Sequence, residues 1–562
     1  MTGGNANWFT RGQRRAAGIR ASRAIVPFIC RNWWWLAFAA VVLLGTLVRL
    51  WFLMRANWML DADESIMAIV GRHIQTRGER PIFFPGQAYM GVWQAYLAAL
   101  SFELFGVSRQ AVKLVPLLSS AAFVGTTMLL ARRVYGPAGA LVAGVLAALP
   151  SLYLISTTLR ASYPLIDVMA LGNVLLLLSI DAAWGNVASR SFVRRAVVMG
   201  LIVGFGFWLH PAIVMYVLPA GLLLLLGRHW RSLLLGAPAA LLGFVVGAAP
   251  VFQHARSHDY TLLHYLLGTG ETIERDLLGV AWRLAQTLMP RYLGVSVPWQ
   301  SAPVALQLLV GVPTIGAIAL LIVRSWLAPA AWIRLRPQRA HPEVVMLVFG
   351  GTVLATYLLS RFSVYAVLYP TLDATGRYIA PLGSFLPLAV AGSACHVWRL
   401  GTVGRVVAAL GVAAILTGTL VTYARTAPDQ VFQSPYYRQL PDSLEPLIAT
   451  LDGLGAENVW VEHWIGTPLV FDTDERIAAA DYVDIWVVGG VGRLYETNIR
   501  VFHAEQAAFV FRTDAPSVRL EETLRQRGVS FTATSVDGFR VVFPLDSRVD
   551  PATVVDDLIA PE

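Results

Sequence analysis

Leu60-Asp61-Ala62-Asp63-Glu64-Ser65 comes directly after a strongly apolar stretch, residues 34–54. Three carboxylates fall within four residues, where a hydrophobic helix ends. Ionisable groups are costly in hydrocarbon, so a cluster at the point where a chain leaves the membrane marks a site. A carboxylate there can take the proton of an attacking hydroxyl, which is general-base chemistry. The same residues also suit a helix start: Asp61 or Asp63 as cap, with Glu64 favoured by the positive end of the dipole. The two readings are compatible.

The rest of the chain says what kind of protein surrounds this loop. Of 562 residues, 56% are hydrophobic and 14% charged. Soluble domains carry about 25% charged residues, so this is a membrane protein of many spans. Cys30 and Cys395 lie near or within apolar segments and match no metal or redox spacing. The net charge of +9 hides a division: residues 425–562 hold 22 Asp+Glu against 11 Arg, and the remainder holds 33 Lys+Arg against 13 Asp+Glu. A basic membrane part and an acidic water-soluble tail follow. The basic residues sit in short loops between apolar runs, which is topology signal and not a nucleic-acid surface.

Residues 1–32 carry Arg11, Arg14, Arg15, Arg20, Arg23 and Arg31, and the positive-inside rule makes them cytoplasmic. No cleavage site is evident, so the segment is expected to be retained. The first span then runs outward, and the Asp-Glu loop emerges on the extracytoplasmic face. Residues 91–106 contain Gln94 and Glu103. Laying them on the surface as an amphipathic helix lets the basic loops at 132–133, 190–195, 228–231, 324–339 and 399–405 all fall inside. Spans are then expected near 115–131, 138–156, 163–181, 196–209, 212–227, 233–250, 304–323, 344–362, 378–398 and 405–422. The fold class is a polytopic all-α membrane protein of about 11 to 13 spans, at the plasma membrane. It divides into a tail at 1–32, a membrane domain at 33–424 and a soluble α/β domain at 425–562, outside. In that last domain 444–454 reads as a helix, 458–462 as a strand, then short strands, a helix at 518–527 and a strand at 539–544. It has no glycine-rich phosphate loop.

This topology places nearly all membrane-part acids on the outer face, with Asp181 and Glu343 inside. Two outer loops follow, one with His254, His258, His264, Glu271 and Glu274, the other with Tyr365, Tyr369, Asp373, Arg377 and Tyr378. Arg377-Tyr378 at the outer end of a span suits a phosphate at headgroup level, because a guanidinium gives bidentate bonds to phosphate oxygens; interfacial snorkelling explains the same placement. Arg160, Tyr163 and Asp167 begin another span. Asp167 is a candidate second acid, and an Arg160–Asp167 ion pair is the structural alternative. His210-Pro211 reads as packing or capping. Glu462-His463-Trp464, Asp472, Asp474 and Glu475 in the tail are polar and aromatic groups suited to sugar contact.

The order of these features resembles the GT-C glycosyltransferases, such as the protein O-mannosyltransferases and the aminoarabinose transferases of lipid A. Asp63-Glu64 matches the Asp-Glu motif of their first outer loop. Residues 85–99, Pro-Gly-Gln-Ala-Tyr-Met-Gly-Val-Trp-Gln-Ala-Tyr-Leu-Ala-Ala, look like the segment that follows it, and Arg377-Tyr378-Ile379-Ala380-Pro381 matches the late Arg-Tyr motif. The resemblance implies a polyprenyl-phosphate-linked sugar donor and inversion at the anomeric carbon. It implies Asp63 as general base with Glu64 beside it, Arg377 and Tyr378 at the donor phosphate, and Asp61, Arg160 and Tyr89 in support. The acceptor is a glycan, a lipid or a protein. No cofactor is demanded; if a divalent cation is used, Asp63, Glu64 and Asp167 offer oxygen ligands suited to magnesium or manganese. The Trp-Trp-Asp motif of oligosaccharyltransferases is absent. A transporter or lipid flippase is the alternative, but it needs ionisable groups near the bilayer midplane and often shows repeated halves. A catalytically inert scaffold is the third.

Overall fold

The computed structural model describes residues 32–184, 189–227, 230–257, 276–297, 300, 301, 303–326, 342–360, 363, 373–433, 443–482, 494–512, 514–546 and 548–554. The basic segment before residue 32 with Cys30, together with His258, His264, Glu271, Glu274, Tyr365 and Tyr369, lies outside these residues. So do the side chains of Glu343 and Asp373.

Helix α1 (Asn32–Arg55) is the first long apolar helix. At its start the Arg132 guanidinium stacks 4.3 Å over the Trp34 ring, so the first turn of α1 and Arg132 share one level. Helix α2 (Ala62–Arg77) carries the acidic loop. A short hairpin follows, β1 (Phe83–Phe84) with β2 (Gln87–Gly91). Helix α3 (Trp93–Phe105) has 13 residues, about 20 Å at 1.5 Å per residue, too short for a hydrocarbon core of about 30 Å. It packs against α2 and leaves Leu100, Leu104 and Phe105 exposed. Close approach is allowed by Gly71, where a Cβ would lie 2.9 Å from the Ala95 carbonyl.

Helix α4 (Arg109–Ala148) is two arms joined at Gly136, whose φ of 80° and ψ of −174° reverse the chain. Only glycine adopts that conformation without strain. The short α5 (Leu152–Thr158) is followed by α6 (Leu165–Trp184), α7 (Ser189–Leu209) and α8 (Val214–Gly227). Next come α9 (Trp230–Gly247) and α10 (Ala249–Ser257). α7 and α9 are held together by small residues. A Cβ on Gly200 or Gly204 would strike the carbonyls of Ala240 or Phe244, and one on Gly243 or Gly247 those of Val197 or Leu201. This is the small-xxx-small packing of membrane helices, where dispersion between close backbones replaces the hydrophobic effect. Then follow α11 (Leu277–Arg283), α12 (Val304–Trp326), α13 (Pro342–Leu359), α14 (Leu382–Trp398) and α15 (Thr402–Arg425). Among the described residues six helices are long and apolar enough to cross a membrane, or seven if the bent pair at 232–256 is one span. Pro211–Gly227, Val344–Leu359 and Leu382–Trp398 are shorter apolar helices.

The tail is an α/β unit: α16 (Glu445–Leu454), β3 (Asn458–Val461), α17 (His463–Asp472), β4 (Ala478–Ala480), α18 (Tyr495–Phe502), β5 (Ala508–Phe511), α19 (Asp514–Gln526), β6 (Phe531–Val536) and β7 (Phe539–Pro544). The sheet order is β4-β3-β5-β7-β6. β3 is parallel to β4 and β5, and β7 is antiparallel to β5 and β6. One expectation is corrected here. The segment after β3 begins as a helix, α17, and not as short strands. Gly466 and Pro468 weaken its helical pattern in the sequence, but the helix forms because Ile465, Leu469, Val470 and Phe471 enter one apolar core with Leu60, Ala68 and Ile69 of the acidic loop and α2, and with Phe102 of α3. Thr467 donates to the Ala62 carbonyl at 3.1 Å.

A belt of ion pairs rims this contact. Arg72 pairs with Asp474, Arg109 with Asp472, His73 Nε2 lies 2.8 Å from Glu475 Oε1, and Arg77 reaches Glu496 at 2.7 Å. Asp472, Asp474 and Glu475, expected at a sugar, are instead docking residues.

Candidate active site

The acidic loop divides its three carboxylates between two tasks. Asp61 is the N-cap of α2. Its Oδ1 accepts from the Glu64 N–H at 2.8 Å, and Glu64 Oε2 accepts in return from the Asp61 N–H at 3.1 Å. This reciprocal box satisfies orphan donors of the first turn. The second oxygen of each is paired with a buried cation. Arg160 donates to Asp61 Oδ2, and its other arm reaches the Phe432 carbonyl at 2.9 Å. Lys113 Nζ lies 2.6 Å from Glu64 Oε1, which also accepts from the Ala161 N–H at 2.7 Å. Burial pushes the Asp61 carboxyl up to about 6, with Arg160 pulling against it. The quartet balances two negative charges with two positive ones in a site closed to water.

Asp63, at the second helical position between these two, turns to different partners. Tyr163 donates its hydroxyl to Asp63 Oδ2. The Arg377 guanidinium stacks 3.7 Å over the Tyr163 ring and donates to the Tyr378 hydroxyl at 3.2 Å. Tyr378 in turn meets the Tyr89 hydroxyl at 3.2 Å. The His210 ring centroid lies 5.7 Å from that of Tyr89 and 5.8 Å from that of Tyr378, and His210 Nδ1 caps the turn after it by accepting from the Ala212 N–H. The structure thus joins the Asp63 loop and the Arg377-Tyr378 segment, 314 positions apart in the chain, through one tyrosine ring.

Several expectations are redirected. Arg160 pairs with Asp61 and not with Asp167. Asp167 accepts from Ser119 at 2.6 Å and from Gln94 at 3.0 Å, which ties α6 to α4 and to the surface helix α3. Glu64, expected beside Asp63 in the chemistry, has its oxygens turned to Lys113 and to the cap. Asp63, Glu64 and Asp167 do not assemble as a metal centre: among the described residues no group of three or more His, Cys, Asp or Glu could hold an ion. A divalent cation therefore does not fit the donor set expected for it.

Lys113 was not singled out in the sequence, although a signal was there: it is the only lysine in the chain, and it interrupts the otherwise apolar run 111–118. Tyr163 is the other side chain of this cluster that pattern reading left without a role. Below this layer a mostly apolar cavity is lined by Arg49, Ser151, Leu154, Tyr292, Leu386 and Ile415, among others. Tyr292 donates to the Gly376 carbonyl at 2.7 Å, so the cavity wall touches the residue before Arg377.

Comparison with known proteins gives a family match over part of the chain and a shared fold over most of it. Residues 91–255 match the family of dolichyl-phosphate-mannose-protein mannosyltransferases; the stretch holds Lys113, Arg160 and Tyr163 and leaves out Asp63 and Arg377. No curated protein matches by sequence. The crystal structure of ArnT from Cupriavidus metallidurans bound to undecaprenyl phosphate superposes with a TM-score of 0.57 at 15% identity, over 94% of this chain and 100% of ArnT. The same protein in the apo state gives 0.56 at 14%, over 95% and 100%. The chain shares the ArnT fold. Archaeal oligosaccharyltransferase AglB from Archaeoglobus fulgidus, in complex with an inhibitory peptide and a dolichol-phosphate, gives 0.48 at 13%, over 92% of this chain and 75% of AglB. The resemblance to GT-C transferases read from the motifs is thus met by both a sequence family and a fold.

Proposed function

We propose that the chain is a membrane glycosyltransferase that moves a sugar from a polyprenyl phosphate to an acceptor hydroxyl on the extracytoplasmic face, with inversion. The observation that carries this reading is the relay Asp63–Tyr163–Arg377, in which one ring holds a carboxylate at its hydroxyl and a cation over its face. The acceptor oxygen attacks the anomeric carbon as its proton passes to Asp63, the general base. The bond from that carbon to the phosphate oxygen breaks, and polyprenyl phosphate leaves with an added negative charge. Arg377, with Tyr378 and Tyr89, is placed to stabilise that charge in a site of low dielectric. Tyr163 orients Asp63. Arg160 and Lys113 hold the loop in register by neutralising Asp61 and Glu64. The cavity beside Gly376 suits the first units of the lipid. In this reading the helices make eleven crossings, counting the two arms of α4 as two, and the tail lies outside the plasma membrane.

The test is release of polyprenyl phosphate from a panel of labelled polyprenyl-phosphate sugars by protein in lipid nanodiscs. Asp63→Asn should lower kcat by about a hundredfold or more, the range for a lost general base. Arg377→Ala should raise the donor KM as well as lower kcat. Turnover by Asp63→Asn at the wild-type rate would remove the carboxylate from the mechanism.

A further inference from the structure

The tail sheet has the strand order that creates a crevice at one edge. In open α/β sheets, ligands sit outside the carboxyl ends of parallel strands, at the point where the chain reverses its direction of strand addition. Here the chain leaves β3 for β4 on one side, then crosses back to β5 on the other. The reversal lies between β3 and β5. The residues that follow these three strand ends are Glu462, His463 and Trp464, then Asp481 and Tyr482, then Arg512. They stand together: the His463 N–H donates to Asp481 Oδ2 at 3.1 Å, and the His463 and Trp464 rings lie 5.4 Å apart. Burial holds the Glu462 carboxyl above its ordinary range against the pull of Arg512, and burial, then Glu462 and Asp481, hold the Tyr482 phenol high.

One helix links this edge to the acidic loop. α17 starts at it with His463, and Thr467, one turn on, donates to the carbonyl of Ala62, the residue before Asp63. Four residues of helix span about 6 Å. Trp464 is half-buried against the cluster that contains Phe432, whose carbonyl holds Arg160.

We propose that this edge, formed by Glu462, His463, Trp464, Asp481, Tyr482 and Arg512, binds the acceptor, and that the acceptor is a carbohydrate. The proposal rests on the transferase reading and names its second substrate. A sugar hydroxyl both donates and accepts, so it needs carboxylates and a guanidinium at close range, which this edge supplies. A phosphorylated headgroup offers acceptors alone and would meet Glu462 and Asp481 as like charges. An aromatic ring beside the polar groups gives the apolar face of a pyranose something to cover.

Two readouts test it on the full-length protein in nanodiscs. In the first, binding of neutral tetrasaccharides of mannose, galactose and arabinose is followed by saturation-transfer NMR, with wild type beside Glu462→Gln and Asp481→Asn. The second measures acceptor KM against donor KM in the transfer assay. Loss of a pair of charge-assisted bonds should weaken saccharide binding and raise acceptor KM by about tenfold or more, with donor KM moving far less. Saccharide binding that both variants leave intact overturns the edge as the site, even if the wild type still releases polyprenyl phosphate. Transfer to peptides with no saccharide binding overturns the carbohydrate. If the wild type releases no polyprenyl phosphate from any donor, the transferase reading falls instead, and the binding readout still decides the edge.

Discussion

The two ends of α2 solve the problem of charge in opposite ways. At its N-terminal end Asp61 and Glu64 are sealed with Arg160 and Lys113, and Lys113 and Glu64 have almost no exposed surface. At its C-terminal end Arg72, His73 and Arg77 meet Asp474, Glu475 and Glu496 of the tail across a wet rim. Buried pairs gain little over apolar replacements but cost heavily when one partner is removed. Rim pairs are screened and individually weak. The first end fixes a geometry. The second places a domain, and most of its hold is the apolar core between α17, α2 and α3.

The largest expected effect therefore lies at the only lysine. Lys113→Met leaves Glu64 buried without its cation and should cost about 3–5 kcal/mol, read as a fall in apparent Tm by intrinsic tryptophan fluorescence. Lys113→Met with Glu64→Gln removes both charges and should restore most of that loss. If the double variant is no more stable than the single, the pair is not the source of the cost and the contrast between the two ends of α2 fails. The same site shows what the sequence could and could not disclose. A helix start with acids at an outer surface is legible in Asp61-Ala62-Asp63-Glu64, and so is the late Arg377-Tyr378 segment. The division of labour among the three acids is not, because the cations that decide it come from 49 and 99 residues away. The tail's β3, β7 and α16 were legible from local pattern. α17 was not, since its helicity depends on a core that it shares with the membrane part.

At the other end of the helix, Arg72→Ala should cost about 0.2–1 kcal/mol, the usual worth of an exposed pair. Asp474→Asn should cost about the same, and the double variant no more than either alone. Stability by the same fluorescence readout, together with protease access to the tail, checks this. A loss as large as that of Lys113→Met would mean that the rim and not the apolar core holds the tail in place.

Acid should separate the ends by sign. Asp61 titrates higher in the folded protein, about 6, than its ordinary 3.8. A raised carboxyl favours the folded state at low pH, and that advantage is lost as pH rises through the folded value. Glu475 is displaced the other way: the hydrogen bond from His73, then the charges of His73, Arg77 and Arg72, hold it below its ordinary 4.5. Its stabilisation is full above 4.5 and is lost as pH falls through the depressed value. Between pH 6 and 4.5 the capped end gains while Glu475 stays ionised. Below 4.5 the rim alone weakens. A label pair spanning the tail and the membrane part should therefore report a constant distance from pH 7 to 5 and a broadening distribution below 4.5, while amide exchange at residues 62–65 stays slow. Broadening that begins near pH 6, with the amides of the first turn of α2 exposed together, would show that the two ends titrate as one unit and would dissolve the comparison.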